Sequence, residues 1–265
     1  MKFIKANAYG NDFLYVSRAL VDGAALPALA RQMCDRHGGA GADGLIVFER
    51  TADGAAMTLF NADGSVAEVS GNGVRGLAAL LLRDDDRDEV VVDTDAGPKR
   101  LTRLARSGSR QTFRTDMGHP SSPRRAPITV GRESIDAVLL SLGNPHCVIL
   151  GSLPADERFR ELGPAIERHR MFPGGTNVEF VQVERADSIR ILIWERGCGA
   201  TRSSGTGSCA SAVAAAAFGG AARDLEVLAP GGSQRVEWLD SGVYLTGWAE
   251  LVYEGEWIRS LTLEV

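Results

Sequence analysis

Two short stretches decide how this chain folds, and they read Ser70-Gly71-Asn72-Gly73 and Ser204-Gly205-Thr206-Gly207. Both have the pattern Ser-Gly-x-Gly, and both follow an apolar run that is typical of a β-strand. Each precedes an apolar run of good helix formers, Leu77–Leu82 in the first case and the alanine-rich Ala210–Phe218 in the second. The recurrence in the two halves of the chain predicts a duplicated unit of strand, glycine-rich turn and helix.

Each stretch also predicts a helix start that can bind an anion. The first N–H groups of a helix have no partner within the helix, and the helix dipole places partial positive charge there. Glycines let the chain turn tightly and let an anion approach the backbone, and serine is a preferred N-cap. One copy is equally well explained as a simple helix cap. Two copies in matching contexts favour two helix starts that bind one small carboxylate or phosphate, with a serine on either side.

The composition excludes several classes of protein. At 265 residues the chain can bury a sizeable core, and its 24% charged and 44% hydrophobic residues are ordinary for a soluble globular protein. The net charge of −5 gives no electrostatic basis for binding nucleic acid. No stretch is long and apolar enough to span a membrane. The charged residues 1–5 do not resemble a secretory signal, so we expect a cytoplasmic protein.

The four cysteines, Cys34, Cys147, Cys198 and Cys209, show no Cys-x-x-Cys spacing. We therefore expect no metal site. In a reducing compartment these residues are expected to be buried thiols rather than disulfides.

Many short strand-like runs and one prominent apolar helix in each half make up the rest of the sequence. This pattern favours an α+β fold in which each sheet wraps a central helix, rather than a doubly wound parallel sheet. The best candidate for a linker between the halves is 117–128, which contains three prolines. The last residues, 258–265, predict a strand that returns to one of the two halves.

Polar residues interrupt the apolar runs at two further places. Gly10-Asn11-Asp12 lies between two strand-like pieces, where it forms a turn or presents a side-chain amide to a ligand. Asn144 and His146 lie in a similar break, where side chains can point into a cleft. A single histidine in such a position has either a structural or a functional role.

Taken together, these motifs resemble those of the diaminopimelate epimerases over nearly the whole chain. The matching stretches, in chain order, are Gly10-Asn11-Asp12-Phe13, Gly41-Ala42-Asp43-Gly44, Phe60-Asn61-Ala62-Asp63-Gly64-Ser65, Gly71-Asn72-Gly73-Val74-Arg75, Gly143-Asn144-Pro145-His146, Thr176-Asn177-Val178, Glu195-Arg196-Gly197, Gly205-Thr206-Gly207-Ser208-Cys209-Ala210 and Pro230-Gly231-Gly232.

The resemblance implies two pseudo-symmetric α+β domains with the active site between them, each a mostly antiparallel sheet around a central helix. One domain would comprise 1–116 with about 254–265, and the other 117–253. The family implies a homodimer that racemises an amino-acid α-carbon without pyridoxal phosphate, metal or any other cofactor. The default substrate is LL-diaminopimelate, converted to meso-diaminopimelate for lysine and peptidoglycan synthesis.

The resemblance also implies roles for individual residues. The distal amino-acid end of the substrate would lie on Asn11, Asn61, Asn144, Asn177, Glu195 and Arg196. The reacting α-carboxylate would lie on the backbone of Gly71, Asn72, Gly205 and Thr206. Ser70 and Ser204 occupy the two acid/base positions, and His146 and Glu195 would support them.

The two serines are the main departure from the family pattern, because the acid/base pair of the family is two cysteines. A free cysteine has a pKa of about 8.5, and a helix start lowers it. A serine hydroxyl is chemically close to water, so its pKa lies far above that of a thiol. The difference of about seven units corresponds to roughly 10 kcal/mol of extra cost to form the base. A second departure is Ala200, where many family members carry an acidic residue.

Three interpretations of the serines stay open. In the first, they were introduced to block an otherwise ordinary epimerase. In the second, the chain is a natural relative with different chemistry on an amino-acid-like substrate, as in the hydroxyproline dehydratases and the phenazine-pathway isomerase. In the third, it is a natural epimerase or racemase of low activity, or a catalytically silent amino-acid-binding protein. Cys198 and Cys209 flank Ser204 but are expected to be structural, since Cys209 matches a family cysteine outside the acid/base pair.

Two alternatives come from other classes of protein. A serine hydrolase would need a nucleophile in a Gly-x-Ser-x-Gly turn, and neither Ser70 nor Ser204 lies in one. No aspartate is evidently paired with His146 in the sequence. A pure amino-acid-binding module stays open, because helix starts can bind a carboxylate without any catalytic base.

Overall fold

The computed structural model describes residues 1–21 and 26–258. Contacts within the chain divide it into two compact units. The first comprises Met1–Thr115 together with the chain from Trp248 onward, and the second comprises Asp116–Gly247.

In the first unit a sheet surrounds one buried helix. Its elements are β1 (Lys2–Ala8), β2 (Asn11–Ser17), α1 (Leu26–Cys34), β3 (Gly44–Arg50), β4 (Gly54–Asn61), β5 (Val66–Ala67), α2 (Gly71–Leu81), β6 (Glu89–Thr94), β7 (Gly97–Ser107) and β8 (Arg110–Gly118). Every residue of α2 is buried, including the polar Asn72 and Arg75 in its first turns. One face of the sheet packs on α2, and the other packs on α1.

The second unit repeats this arrangement. Its elements are β9 (Arg124–Val130), β10 (Glu133–Ser141), β11 (Pro145–Leu150), α3 (Asp156–Glu167), β12 (Asn177–Arg185), β13 (Ser188–Glu195), β14 (Gly199–Thr201), α4 (Gly205–Phe218), β15 (Asp224–Ala229), β16 (Gly232–Leu239) and the start of β17 (Gly242–Glu256). Residues Gly205–Ala215 of α4 are buried against one face of the sheet. Helix α3 covers the other face.

Strand register shows that the two units are copies of one pattern. In the first, β2 runs parallel to β3 with Phe13 opposite Gly44. In the second, β11 runs parallel to β12 with His146 opposite Asn177. In each unit the second of these strands then pairs antiparallel with the next, β3 with β4 and β12 with β13.

This register gives a residue-by-residue equivalence that matters for function. Phe13 corresponds to His146. In β3, Ile46 lies two residues after Gly44 and pairs with Leu59. In β12, Glu179 lies two residues after Asn177 and pairs with Ile193, so Ile46 corresponds to Glu179. At the ends of the next strands, Asn61 therefore corresponds to Glu195.

The sequence-based fold class is confirmed, because both units are α+β and each wraps a sheet around a central helix. The linker prediction for 117–128 is wrong in detail, since β8 continues to Gly118 and β9 begins at Arg124. Pro127 is accommodated in β9 opposite Asp136 of β10, because a strand tolerates proline where the ladder does not need a backbone N–H.

The domain boundaries expected at 117 and about 254 differ slightly from the divisions at Asp116 and Trp248. That the units are independent domains stays a prediction. Of the strand expected over 258–265, all but Ile258 lies outside the described residues. No helix within 1–21 and 26–258 is long and apolar enough to cross a membrane.

Candidate active site

Ser70 and Ser204 cap the two central helices in nearly the same way. Each has an extended backbone, with φ −129° and ψ 120° at Ser70 and φ −137° and ψ 129° at Ser204. The Ser70 hydroxyl accepts from the Gly73 N–H at 3.1 Å, and the Ser204 hydroxyl accepts from the Gly207 N–H at 3.2 Å. Both serines thus lie at the positive end of a buried helix, as the sequence predicts.

The first cluster of predicted site residues forms at the start of α2. The Asn72 side chain donates to Asn11 Oδ1 at 3.2 Å, and Asn11 Nδ2 donates to Asp43 Oδ2 at 2.7 Å. Asn72 also accepts from Arg75, which is fully buried in α2. The structure therefore brings Asn11 and Asn72 together and fixes the orientation of both amides.

A cluster of charged side chains lies next to Asn11. Arg36 forms ion pairs with Asp12 at 2.8 Å and with Asp43 at 2.7 Å, and Lys5 contacts Asp12 at 2.8 Å. Desolvation raises the pKa of Asp12, but the hydrogen bonds and charges of Arg36 and Lys5 outweigh it and hold that pKa below its usual value. Arg36 thus links Asp12 to Asp43, and Asp43 in turn holds the Asn11 amide in place.

Asn61 ends β4 close to this cluster, since the next residue, Ala62, donates its N–H to Asp43 O at 3.1 Å. The Asn61 amide donates to Ser65 Oγ at 3.0 Å and is half-buried. One amide proton and the carbonyl of such a side chain have capacity for a ligand beyond this bond.

The second cluster forms at the start of α4. His146 Nε2 lies 2.9 Å from Asn144 Oδ1, and Asn144 Nδ2 donates to Thr206 Oγ1 at 3.3 Å. His146 is 1% exposed, so its ring is held among protein groups rather than in solvent. The structure thus joins three of the predicted residues, Asn144, His146 and Thr206, in one hydrogen-bonded chain.

Glu179 completes this chain, and sequence reasoning missed it. Its Oε1 lies 2.8 Å from His146 Nδ1, and both side chains are fully buried. A glutamate between Val178 and Phe180 in an apolar strand is the signal that could have found it, because a buried charge requires a partner. Burial raises the pKa of the Glu179 carboxyl, and the charge and hydrogen bond of His146 oppose that rise.

Glu195 ends β13 beside Ser204. Desolvation raises the pKa of its carboxyl, the Thr201 and Ser204 hydroxyls oppose the rise, and the Glu179 charge adds to it. Strand alternation explains the meeting of these groups, because Glu179 and Glu195 share the face that carries Val181 and Ile193 toward α4.

Asn177 and Glu167 shape the backbone around Arg196. Asn177 donates to Pro145 O at 3.0 Å and accepts from the Arg196 N–H at 3.0 Å. Glu167 accepts from Trp194 Nε1 at 2.8 Å and from the Gly197 N–H at 2.9 Å. Asn177 was predicted to bind substrate, and in the structure its amide bridges two segments that carry predicted site residues.

A buried polar group fixes the start of α4. Gln234 donates to the hydroxyls of Ser203 at 3.2 Å and Ser208 at 3.3 Å, and Ser208 donates to Ser204 O at 2.7 Å.

Cys209 is buried as expected, whereas the expectation of burial is wrong for Cys198, which is exposed on the turn after β13. Across the described part of the chain, no three His, Cys, Asp or Glu side chains are grouped as metal ligands would be.

The fold and the two serine-capped helix starts define a class of protein by its architecture, in which two α+β units each wrap a sheet around a central helix. Solved structures share this fold. A predicted epimerase from Pseudomonas aeruginosa superposes with a TM-score of 0.75 at 16% identity, covering 98% of this chain and 99% of its own. A hydroxyproline epimerase from Agrobacterium vitis gives 0.73 at 16% identity, covering 96% of this chain and 91% of its own.

Sequence comparison identifies the family. The model of the diaminopimelate epimerase family matches residues 3–122 and 138–252. The diaminopimelate epimerase of Desulforudis audaxviator is 40% identical over 98% of this chain and 100% of its own length. That of Pelotomaculum thermopropionicum is 38% identical over 97% and 99%. The chain therefore belongs to the diaminopimelate epimerase family and is an isomerase.

Proposed function

We propose that this chain epimerises LL-diaminopimelate to meso-diaminopimelate, with Ser70 and Ser204 at the two acid/base positions. The observation that carries the proposal is the matched pair of serine-capped, buried helix starts, each beside a set of oriented amides. The named function of the relatives supports the choice of substrate.

The reaction inverts one α-carbon, so one group must remove the α-proton while another delivers a proton to the opposite face. In the proposed mechanism both clusters act on one substrate molecule. The first N–H groups of α2 and α4, from Gly71, Asn72, Gly205 and Thr206, bind the α-carboxylate, which increases the acidity of the adjacent C–H. Asn11, Asn61, Asn144, Asn177, Glu195 and Arg196 hold the distal amino-acid end of the substrate.

A serine alkoxide is too costly to serve as a free base, since it requires roughly 10 kcal/mol more than a thiolate. Ser204, however, faces the Glu195 carboxylate. In the proposed step the Ser204 hydroxyl accepts the α-proton as it passes its own proton to Glu195. Ser70 delivers its hydroxyl proton to the opposite face of the α-carbon, and His146, which the family resemblance assigns to support an acid/base group, replaces that proton. After product release Glu195 gives its proton to solvent and His146 regains one, so no net proton is gained or lost over a turnover.

The structure also favours a second candidate, a protein that binds an amino acid without turnover. The specific observation is that both serine hydroxyls already serve as helix caps, so the helix starts that bind a carboxylate do not need a base. The homodimer implied by the family resemblance stays a prediction.

The deciding experiment measures α-proton exchange of LL-diaminopimelate in heavy water by NMR. It compares this chain with Ser70→Cys/Ser204→Cys, and each single cysteine variant serves as a control. We expect the double variant to exchange and epimerise much faster than the parent, because its thiols supply bases near neutral pH.

Each outcome has a distinct meaning. Exchange by the double variant alone supports the epimerase and identifies the serines as a block. Exchange by the parent supports the relay through Glu195. Binding without exchange in either protein favours the binding function, and failure of both to bind overturns the choice of substrate.

A further inference from the structure

We propose that Glu179 is a positioning residue that orients the His146 ring and holds a shared proton against Nδ1, so that Nε2 faces Asn144 as an N–H donor. The proposal deepens the proposed function, on which its kinetic consequence rests.

The hydrogen-bond geometry determines where the protons lie. His146 Nδ1 is 2.8 Å from Glu179 Oε1, and Nε2 is 2.9 Å from Asn144 Oδ1. Asn144 uses its amide nitrogen to donate to Thr206 Oγ1, which leaves its oxygen toward the ring. Because both ring nitrogens face oxygen, Nε2 carries a hydrogen, and a second proton lies between Nδ1 and Glu179, whichever of the two groups holds it.

The pair is not needed to build the fold. In the first unit the equivalent positions are Phe13 and Ile46, which are buried and apolar in the same strand arrangement. Replacing a buried ionic pair by apolar residues of similar volume is often neutral or stabilising. The second unit therefore buries a polar pair, which costs desolvation free energy, at positions where the first unit folds with apolar residues.

The location of the pair connects it to the reacting groups. A Cβ added to Gly207 would lie 2.9 Å from Glu179 Oε1 and 3.1 Å from the Ser204 Cβ, so the carboxylate abuts the start of α4. The positive end of that helix favours a negative charge there. The charges of Glu179 and His146 also act on Glu195, which faces Ser204.

The test uses substitutions that the chain itself suggests. Glu179→Ile and His146→Phe place at each position the residue of the first unit, and the double variant replaces the whole pair. Glu179→Gln keeps the shape and removes the acid. Glu167→Gln is the matched control, because Glu167 is another buried glutamate of the same unit that accepts from Trp194 and Gly197 rather than from a histidine.

The first measurement is the proton spectrum of protein labelled with ¹⁵N in its histidines. We expect a slowly exchanging, downfield proton at Nδ1 of His146 that is present in the parent and in Glu167→Gln, and lost in Glu179→Ile and His146→Phe. Thermal unfolding should give a lowered Tm for both Glu179→Ile and His146→Phe, since each leaves one buried polar group without its partner, and a recovery of several degrees in the double variant.

The second measurement is kinetic and uses the Ser70→Cys/Ser204→Cys background. Glu179→Gln should lower kcat for α-proton exchange by about 10-fold or more, since acid–base groups contribute about 10²–10⁴-fold, while KM changes little. A larger KM with unchanged kcat would indicate a role in packing alone and would overturn the proposal.

The two proposals fail in different ways. If Glu179→Ile keeps the downfield proton and the Tm of the parent, the positioning role is wrong whatever the activity. If the spectra and Tm values follow expectation but the cysteine background neither binds nor exchanges diaminopimelate, the substrate proposal fails and the positioning role stands.

Discussion

Ile46 and Glu179 occupy equivalent positions in the two copies of the fold, and each reaches the last glycine of a Ser-Gly-x-Gly turn. A Cβ built on Gly73 would lie 2.8 Å from Ile46 Cδ1, and one built on Gly207 would lie 2.9 Å from Glu179 Oε1. The glycine at the same place in each turn thus packs against an apolar side chain in the first unit and against a carboxylate in the second. The duplication preserved geometry while the chemistry of the two helix starts diverged.

This relationship predicts unequal effects of one substitution at two matched sites. Gly→Ala at either position adds a methyl group at less than 3.0 Å from a neighbour, and overpacking of this kind costs about 1–3 kcal/mol. Ile46 can change rotamer, whereas His146 holds the Glu179 carboxylate at 2.8 Å. We expect Gly207→Ala to lower the free energy of unfolding by about 1 kcal/mol more than Gly73→Ala, within the same range of overpacking costs.

Chemical denaturation of both variants checks this prediction. The control is Gly207→Ala in the Glu179→Ile background, where the neighbour is again apolar and the difference should shrink. Equal costs in the unmodified chain would show that Glu179 yields as easily as Ile46.

Much of the fold could be predicted from the sequence because its signals are local. The Ser-Gly-x-Gly turns contain both the capping serine and the glycines, and the apolar runs after them lack any polar face, so two buried central helices follow directly. The linker was predicted too long because Pro127 lies within β9, and sequence alone does not show which backbone N–H a strand leaves free.

The site was predictable only where a motif contained its residues. His146 and Asn144 belong to one short motif, and the structure joins them by a hydrogen bond. Glu179 comes from a neighbouring strand, and its contact with His146 depends on the parallel register that places Val148 opposite Glu179. His146 and Glu179 are 33 residues apart in the sequence, so their contact depends on tertiary structure that a local sequence pattern does not encode.

The serine caps predict a measurable cost of removing either hydroxyl. Ser70→Ala and Ser204→Ala each lose the acceptor for a glycine N–H, and such substitutions cost about 1 kcal/mol. Glycine at position 70, which is partly exposed, should cost only a few tenths of a kcal/mol, because solvent can reach the freed N–H. Ser204→Gly should cost as much as Ser204→Ala, because Ser204 is buried and solvent does not reach the Gly207 N–H. Urea denaturation of the four variants checks the order, and an alanine variant as stable as the parent would contradict the capping role.

Asn177 and Asn61 offer a test of which predicted amide is structural. Asn177→Asp replaces the donor to Pro145 O by a carboxylate at a position only 4% exposed, so we expect a loss of about 2–3 kcal/mol in unfolding free energy. Asn61→Asp acts at a half-buried site next to exposed Ser65, where solvent can reach the new carboxylate, and its cost should stay under about 1 kcal/mol. Thermal unfolding of the two variants gives the comparison, and equal losses would show that the bridge made by Asn177 carries no special weight.

The environment of Glu195 predicts how stability depends on pH. Desolvation raises its pKa above the ordinary value of 4.5, opposed by the Thr201 and Ser204 hydroxyls and by His146, and assisted by Glu179. The folded state therefore binds this proton more tightly than the unfolded state does. The resulting stabilisation is complete below the unfolded pKa and is lost as pH rises through the folded pKa.

Glu195→Gln removes this titration and leaves the other groups in place. We expect the variant to gain stability relative to the parent as pH rises from about 4 toward neutrality, because only the parent must then keep a desolvated carboxylate. Unfolding free energies measured by denaturant at several pH values in that range check the sign. A constant difference between the two proteins would show that Glu195 titrates alike in the folded and unfolded states, and it would remove the basis for a proton relay from Ser204 to this carboxylate.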